Sequence, residues 1–321
     1  MKTYTIPKTD LTVSRIAYGC MKIGGSWDDE PLTQATEDAA VRVVATAYEQ
    51  GITLFDHADI YTRGKSEQAF AAAWGTVPRD KIVLQSKCGI RFGDDPPGAP
   101  ARFDFSYGHI ISAVEGSLRR LQTDYLDLLL LHRPDPLVEP EEVARAFDAL
   151  HSSGKVRYFG VSNHTAGQIA LLEASVNQSL VANQVQVSLL HPYLISEGIL
   201  ANIHGKAAAL ASGTLDYCRL HGILIQAWGP VAGGQLFNPP ENAAPHVKAT
   251  AALIAQMAAE RDTTPEAVAL AWLLRHPAGI QPIIGTTKPE RVEASCRADD
   301  VNLSREAWYA LFEAARGERV P

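Results

Sequence analysis

No stretch of this sequence is apolar for long enough to cross a bilayer as a helix, which takes ~20 residues, and MKTYTIPKTDL at the N-terminus has no apolar signal-peptide core. Cysteine is scarce: Cys20, Cys88, Cys218 and Cys296 are the four in 321 residues, and none stands at a paired metal-ligand spacing from another. Reduced thiols and a cytoplasmic location are therefore expected, with no bound metal. A basic face is also missing. Asp and Glu number 36 against 29 Lys and Arg, for a net charge of −7, which argues against a nucleic-acid partner. Nor does a G-x-G-x-x-G follow the first strand-like run; Gly19-Cys20-Met21-Lys22-Ile23-Gly24-Gly25 has a different spacing.

What is present is an ordinary globular composition, 46% hydrophobic and 20% charged, in which strand and helix signals alternate. SRIAYGC (14–20), TLFDHADIY (53–61), KIVLQSK (81–87), YLDLLLLHR (125–133), KVRYFGVSN (155–163), LVANQVQV (180–187), HGILIQAWGP (221–230) and QPIIGTT (281–287) read as strands. Helical spacing falls at 33–51, at 66–75 with Ser66 as N-cap, at 109–122, 141–154 and about 166–175, then in long runs at 247–276 and 289–315. Such alternation builds a parallel sheet. A closed (β/α)8 TIM barrel spanning 1–321 as one domain is the expectation, with an open doubly wound sheet as its competitor. The segment KTYTIPKTDLTVSRIAYG reads as an N-terminal β-hairpin around Lys8-Thr9-Asp10, closing the barrel floor.

Three of the strand-like runs deliver polar groups at or just past their carboxyl ends, where parallel α/β folds bind ligands. These are Asp56 with Tyr61 beyond it, Lys87, and His132. Each alone has a plain structural use: an aspartate caps a turn, a tyrosine packs its ring, and His132 before Arg133-Pro134 closes a loop. Together they make a proton-donating set. A phenol titrates near ~10 and is a poor acid at neutral pH; a neighbouring ammonium lowers that value, and a carboxylate holds the ammonium in place. His132 is then free to direct a carbonyl oxygen toward the phenol.

FDHADIY, SKCG, LLLLHRPD, GKVRYFGVSN, NQVQVSLLHP, QAWGP and PIIGTTKPERVEAS, in this order, resemble segments of the aldo-keto reductase superfamily. The resemblance runs from about Val13 to Phe312. It implies a (β/α)8 barrel that reduces aldehydes or ketones with NAD(P)H, without a metal, and a catalytic set of Asp56, Tyr61, Lys87 and His132. It implies further that Ser162, Asn163 and Gln184 hold the nicotinamide carboxamide. Trp228 would stack on that ring, where many members carry Tyr, and Gly229, Pro230 and Val231 would lie beneath the pyrophosphate. Gly285, Thr286, Lys288 and Arg291 would surround the adenosine 2′-phosphate, favouring NADPH over NADH, although Gly285 replaces a lysine of some members. Ser295 stands where an asparagine often faces adenine.

The specificity walls are expected in the loops Ile90–Ser106, Leu194–Gly213 and Ala232–His246, with Phe92, Phe103, Phe105, Tyr193, Leu236 and Phe237 as apolar pocket candidates. A small-molecule carbonyl compound is the expected partner, and neither its identity nor the oligomeric state is readable. A Schiff-base lyase using Lys87 and a slow nucleotide-binding subunit are the rival functions.

Overall fold

The chain begins as a hairpin of β1 (Thr3–Thr5) and β2 (Thr12–Ser14), antiparallel with Thr3 opposite Ser14. In this computed structural model, residues 1–200 and 213–321 are described. After the hairpin come β3 (Ala17–Gly19), α1 (Gln34–Glu49), β4 (Leu54–Asp56), α2 (Lys65–Ala71), β5 (Val83–Cys88), a small hairpin of β6 (Ile90–Arg91) and β7 (Arg102–Phe103), and α3 (Tyr107–Leu121). The second half runs β8 (Leu126–Leu131), α4 (Pro140–Ser152), β9 (Val156–Ser162), α5 (Ala166–Glu173), β10 (Leu180–Gln186), α6 (Tyr193–Leu200), α7 (Thr214–His221) and β11 (Leu224–Trp228). It ends with α8 (Pro245–Glu260), α9 (Pro265–Leu274), β12 (Gln281–Ile284), α10 (Pro289–Cys296) and α11 (Arg305–Arg316). Strands β3, β4, β5, β8, β9, β10, β11 and β12 pair in that order and β12 returns to β3, closing a parallel barrel. The closed (β/α)8 barrel is the observed fold, and the open sheet is not.

Alternation along the strands builds two cores. On β8, Leu128 and Leu130 point into the barrel with Leu54, Val83, Val181 and Leu224, while Leu126, Leu129 and Leu131 face the helices. Ile6, Leu11 and Val13 join the inner cluster, so the N-terminal hairpin stoppers the barrel at the end where the strands begin. Each such leucine contributes about 1.5–3 kcal/mol by leaving water. Gly160 on β9 marks the tightest strand contact: a Cβ there would lie 2.6 Å from the Ala182 oxygen and 2.7 Å from Leu130 Cδ2. Only glycine fits, and this close approach sets where Ser162 and Asn163 emerge.

The helices differ from expectation in several places, and two were not expected at all: α7, and α6, which occupies the start of the segment read as the loop Leu194–Gly213. Ser66 is not a cap: α2 starts at Lys65 after left-handed Gly64 (φ +85°), and the buried Ser66 hydroxyl donates to the Met21 carbonyl at 3.0 Å. The run 247–276 is two helices. Thr264 accepts from the Ala267 amide at 3.2 Å, and Pro265, lacking an N–H, opens α9. The run 289–315 also divides, at a 3-10 turn over Arg297–Asp300, and restarts with Ser304 as cap.

Candidate active site

The carboxyl ends of β4, β5 and β8 bring Asp56, Lys87 and His132 to one mouth of the barrel, and a 3-10 turn, Tyr61–Gly64, carries Tyr61 over them. That turn is held in an unusual shape. Thr62 and Arg63 both take positive φ (46° and 56°), and the Thr62 hydroxyl lies 2.9 Å from the Ser66 hydroxyl. The Ser66 bonds that displaced it from a capping role thus brace the tyrosine.

The Lys87 ammonium has its three donors matched: Asp56 Oδ2 at 2.8 Å, the His57 carbonyl at 2.9 Å and the Tyr61 hydroxyl at 2.9 Å. Asp56 and Lys87 are both buried, and their ion pair closes to 2.7 Å. The Tyr61 and His132 rings meet edge to face, with centroids 5.7 Å apart. The sequence-predicted quartet is therefore one contiguous cluster.

Burial opposes the Lys87 charge, but the Asp56 carboxylate and the Tyr61 oxygen outweigh it and hold its pKa above the ordinary value. Tyr61 goes the other way from expectation. Burial pushes its phenol up, and the pull of the Lys87 ammonium offsets only part of that. The proton consequently stays on Tyr61 at neutral pH. Burial, with help from Lys87 and Arg133, drives His132 well below the usual imidazole range, so this ring is neutral. Its Nδ1 is buried with no partner among the described residues.

An amide ladder crosses the barrel beneath this cluster, and of its members the sequence singled out Gln184 alone. Gln85 Nε2 and Gln184 Nε2 donate to Asp56 Oδ1 at 2.5 and 3.0 Å. Gln184 also reaches Gln226 Oε1 at 3.3 Å, Gln226 donates to Gln281 Oε1 at 3.0 Å, and Gln281 donates to the Ser14 carbonyl at 2.8 Å. The Gln184 amide N–H2 is thus engaged inside the barrel.

The other predicted binding residues fall into two groups. Near the cluster, Ser162 donates to the Gln184 carbonyl (2.8 Å), and the Asn163 amide donates to Ser162 Oγ (2.8 Å) and the His132 carbonyl (3.2 Å). Half-buried Trp228 donates from Nε1 to Asn163 Oδ1 at 3.0 Å. Gly229 follows with φ +63°, a conformation that suits glycine, and a Cβ there would meet nothing within 4 Å. Pro230 is buried and Val231 half-buried beside it. The second group surrounds the start of α10. Gly285 is exposed, Thr286 Oγ1 accepts from the Lys288 amide at 3.2 Å, and the exposed Lys288 side chain caps nothing. Arg291 is paired with Glu266 at 3.3 Å and lies over the Phe237 ring at 5.8 Å. Ser295 is buried and its hydroxyl donates back to the Arg291 carbonyl at 2.7 Å.

Of the loop candidates, Phe105 is buried and stacks on His164, and Leu236 is buried; both pack their own surroundings. Phe103 and Tyr193 are exposed, and Phe92 lies under the Arg63 guanidinium. Part of the Leu194–Gly213 loop, residues 201–212, lies outside the described residues. Among the described residues no helix is long and apolar enough to cross a membrane, and no cluster of His, Cys, Asp and Glu could hold a metal.

A buried Asp–Lys–Tyr–His cluster thus stands at the carboxyl mouth of a parallel barrel, and comparison with known proteins identifies the family. The profile of the Aldo/keto reductase family matches residues 15–316, and the chain belongs to that family. A 6-dehydroglucose reductase of Agrobacterium fabrum is 37% identical over 315 residues, covering 97% of each chain. A glycerol dehydrogenase from Gluconobacter oxydans superposes with a TM-score of 0.81 at 25% identity, covering 98% of this chain and 95% of that one. An aldo/keto reductase from Klebsiella pneumoniae, solved with NADP and acetate, superposes at 0.70 with 27% identity, covering 94% and 90%.

Proposed function

We propose that this protein reduces an aldehyde or ketone to an alcohol with NADPH, and that Tyr61, Lys87, Asp56 and His132 carry the reaction. The observation that carries this reading is the 2.9 Å contact between Lys87 Nζ and the Tyr61 hydroxyl inside a buried ion pair. NADPH, when bound, supplies the hydride. The Tyr61 phenol donates its proton as negative charge develops on the carbonyl oxygen. Its oxygen then carries that charge 2.9 Å from an ammonium kept protonated by Asp56. Neutral His132 hydrogen-bonds the same carbonyl oxygen and aims it at the phenol.

The residues fit a dinucleotide. Ser162 and Asn163 offer hydroxyl and amide groups for a carboxamide by exchanging bonds they now make with Gln184, His132 and Trp228, and the open space at Gly229 admits a pyrophosphate. Gln184 is already bonded to Asp56 and Gln226, so it supports the floor of that subsite and meets the carboxamide only by exchanging partners. Lys288 and Arg291 suit a 2′-phosphate. The NADP in the Klebsiella relative supports that choice, while the Glu266 partner means that phosphate must compete for Arg291. Gly285 and Thr286 would give backbone and hydroxyl contacts there. Ser295 would act through its Arg291 bond rather than on adenine.

The test is a binding titration with NADPH and NADH, followed by a carbonyl panel monitored for NADPH oxidation. The panel includes 6-dehydroglucose, the compound in the name of the Agrobacterium relative. NADPH binding with carbonyl-dependent oxidation supports the reading. Borohydride trapping of a carbonyl on Lys87 without nicotinamide binding would replace it with the lyase.

A further inference from the structure

Arg133 follows His132 directly, at the mouth of the barrel, and its surroundings are unusual for an arginine. The guanidinium lies 5.7 Å from the Trp228 ring centroid, within the ~6 Å at which a cation is drawn to an aromatic face. Trp228 is itself fixed by its bond to Asn163, so the plane beneath the guanidinium is set by the same residues that flank the quartet. Arg133 is half-buried, and it makes no hydrogen bond or ion pair with any described residue. The nearest acid in sequence cannot serve it. Asp135 is buried and accepts from the Phe105 and Leu137 amides at 3.0 and 2.8 Å. Several other half-buried arginines have carboxylates, Arg79 with Asp127, Arg91 with Asp104 and Arg120 with Glu67, and half-buried Arg102 donates to the Pro100 carbonyl instead. An arginine presents a rigid fork of donors matched to an oxyanion. At Arg133 that fork lies against the Trp228 ring with no oxyanion partner among the described residues.

We propose that Arg133 is the substrate anchor of this active site, and that the carbonyl compound carries an oxyanion, a carboxylate or a phosphate monoester, which the guanidinium binds beside His132. This rests on the carbonyl-reduction reading for the reaction, though not for the binding. With its anion on Arg133, a substrate has its carbonyl end directed along the chain toward His132 and Tyr61. The anchor fixes orientation and adds a charge-assisted contact remote from the reacting carbon.

The experiment uses the full chain with three para-substituted benzaldehydes: 4-carboxybenzaldehyde, 4-formylphenyl phosphate and neutral methyl 4-formylbenzoate. Binding in the presence of NADP+ is read by calorimetry and kcat/KM by NADPH oxidation, for the parent, Arg133→Gln and Arg133→Lys, each checked for parental folding by circular dichroism. The parent should favour at least one charged aldehyde over the ester. Arg133→Gln should lower that preference about ten-fold or more. Arg133→Lys should recover part of it, since the charge returns without the fork, and whichever anion suffers the larger fall is the better match. No preference in the parent, or one that stays within about three-fold in Arg133→Gln, overturns the proposal. An Arg133-dependent binding preference without any NADPH oxidation would leave the anchor standing and sink carbonyl reduction. Brisk reduction with no dependence on Arg133 would do the reverse.

Discussion

The indole N–H of Trp228 donates to the side-chain oxygen of Asn163 at 3.0 Å, joining the end of β11 to the loop after β9. That bond fixes which end of the Asn163 amide faces Ser162 and His132. Trp228→Phe keeps an aromatic face but deletes the donor. One lost hydrogen bond contributes about 1 kcal/mol, or about five-fold in affinity. NADPH and NADH should weaken by the same factor, because the nicotinamide end is common to both; fluorescence titration of each cofactor measures it.

On the proposed reading, cofactor selection lies at α10 and separates from that effect. Arg291→Ala should weaken NADPH by roughly ten-fold at low salt, leave NADH nearly unmoved, and lose this preference as salt is added. The Arg291–Glu266 pair adds a prediction of its own. Glu266→Gln removes the competing carboxylate, so NADPH should tighten while NADH does not. Parallel titrations at two salt concentrations check both variants, and equal losses for both cofactors would make this pair a loop support.

Lys87 and Asp56 tie stability to chemistry. Removing one partner of a buried ion pair costs about 3–5 kcal/mol, because a charge is left without its counterion. Lys87→Met should therefore lower the thermal midpoint and abolish most reduction with every carbonyl tested. His132→Ala should leave stability closer to the parent and alter the relative kcat/KM among carbonyl substrates. Calorimetry alongside the substrate panel distinguishes the two.

His57 gives a pH dependence with a definite sign. Its ring is fully buried against Phe70, neither nitrogen has a partner among the described residues, and burial lowers its pKa to about 3. The unfolded chain binds a proton on this histidine below about 6.5, whereas the folded chain refuses it. Stability should thus be intact above about 6.5 and fall as pH drops toward 3, with His57 accounting for about 2 kcal/mol between pH 6.5 and 5. His164 and His276, each lowered to about 4 mainly by burial, act in the same direction. His57→Phe should flatten the pH dependence of the thermal midpoint in this range; an unchanged slope would locate the effect elsewhere.

Much of this was legible in the sequence because a parallel barrel writes its site at the ends of apolar runs. Asp56, Lys87 and His132 stand out by ending stretches otherwise buried. Gln85, Gln226 and Gln281 did not, since an inward amide on a buried strand looks the same whether it bonds a ladder or a ligand. The division of 247–276 did carry a signal, Thr264 before Pro265, which the continuous apolar spacing on either side obscured. The Arg291–Glu266 pair was invisible for a different reason: α9 and α10 meet only through the fold. So was the sign of the Tyr61 shift, because the ammonium could be read from the chain while the depth of burial opposing it could not.

The central claim is that the Tyr61 phenol supplies the proton, and single-turnover NADPH oxidation with an aldehyde the parent reduces tests it most directly. Tyr61→Phe deletes one oxygen and keeps the ring that packs on His132. The account predicts a rate lower by about 10²-fold or more, with NADPH affinity nearly unchanged. A Tyr61→Phe rate close to the parent's would contradict it.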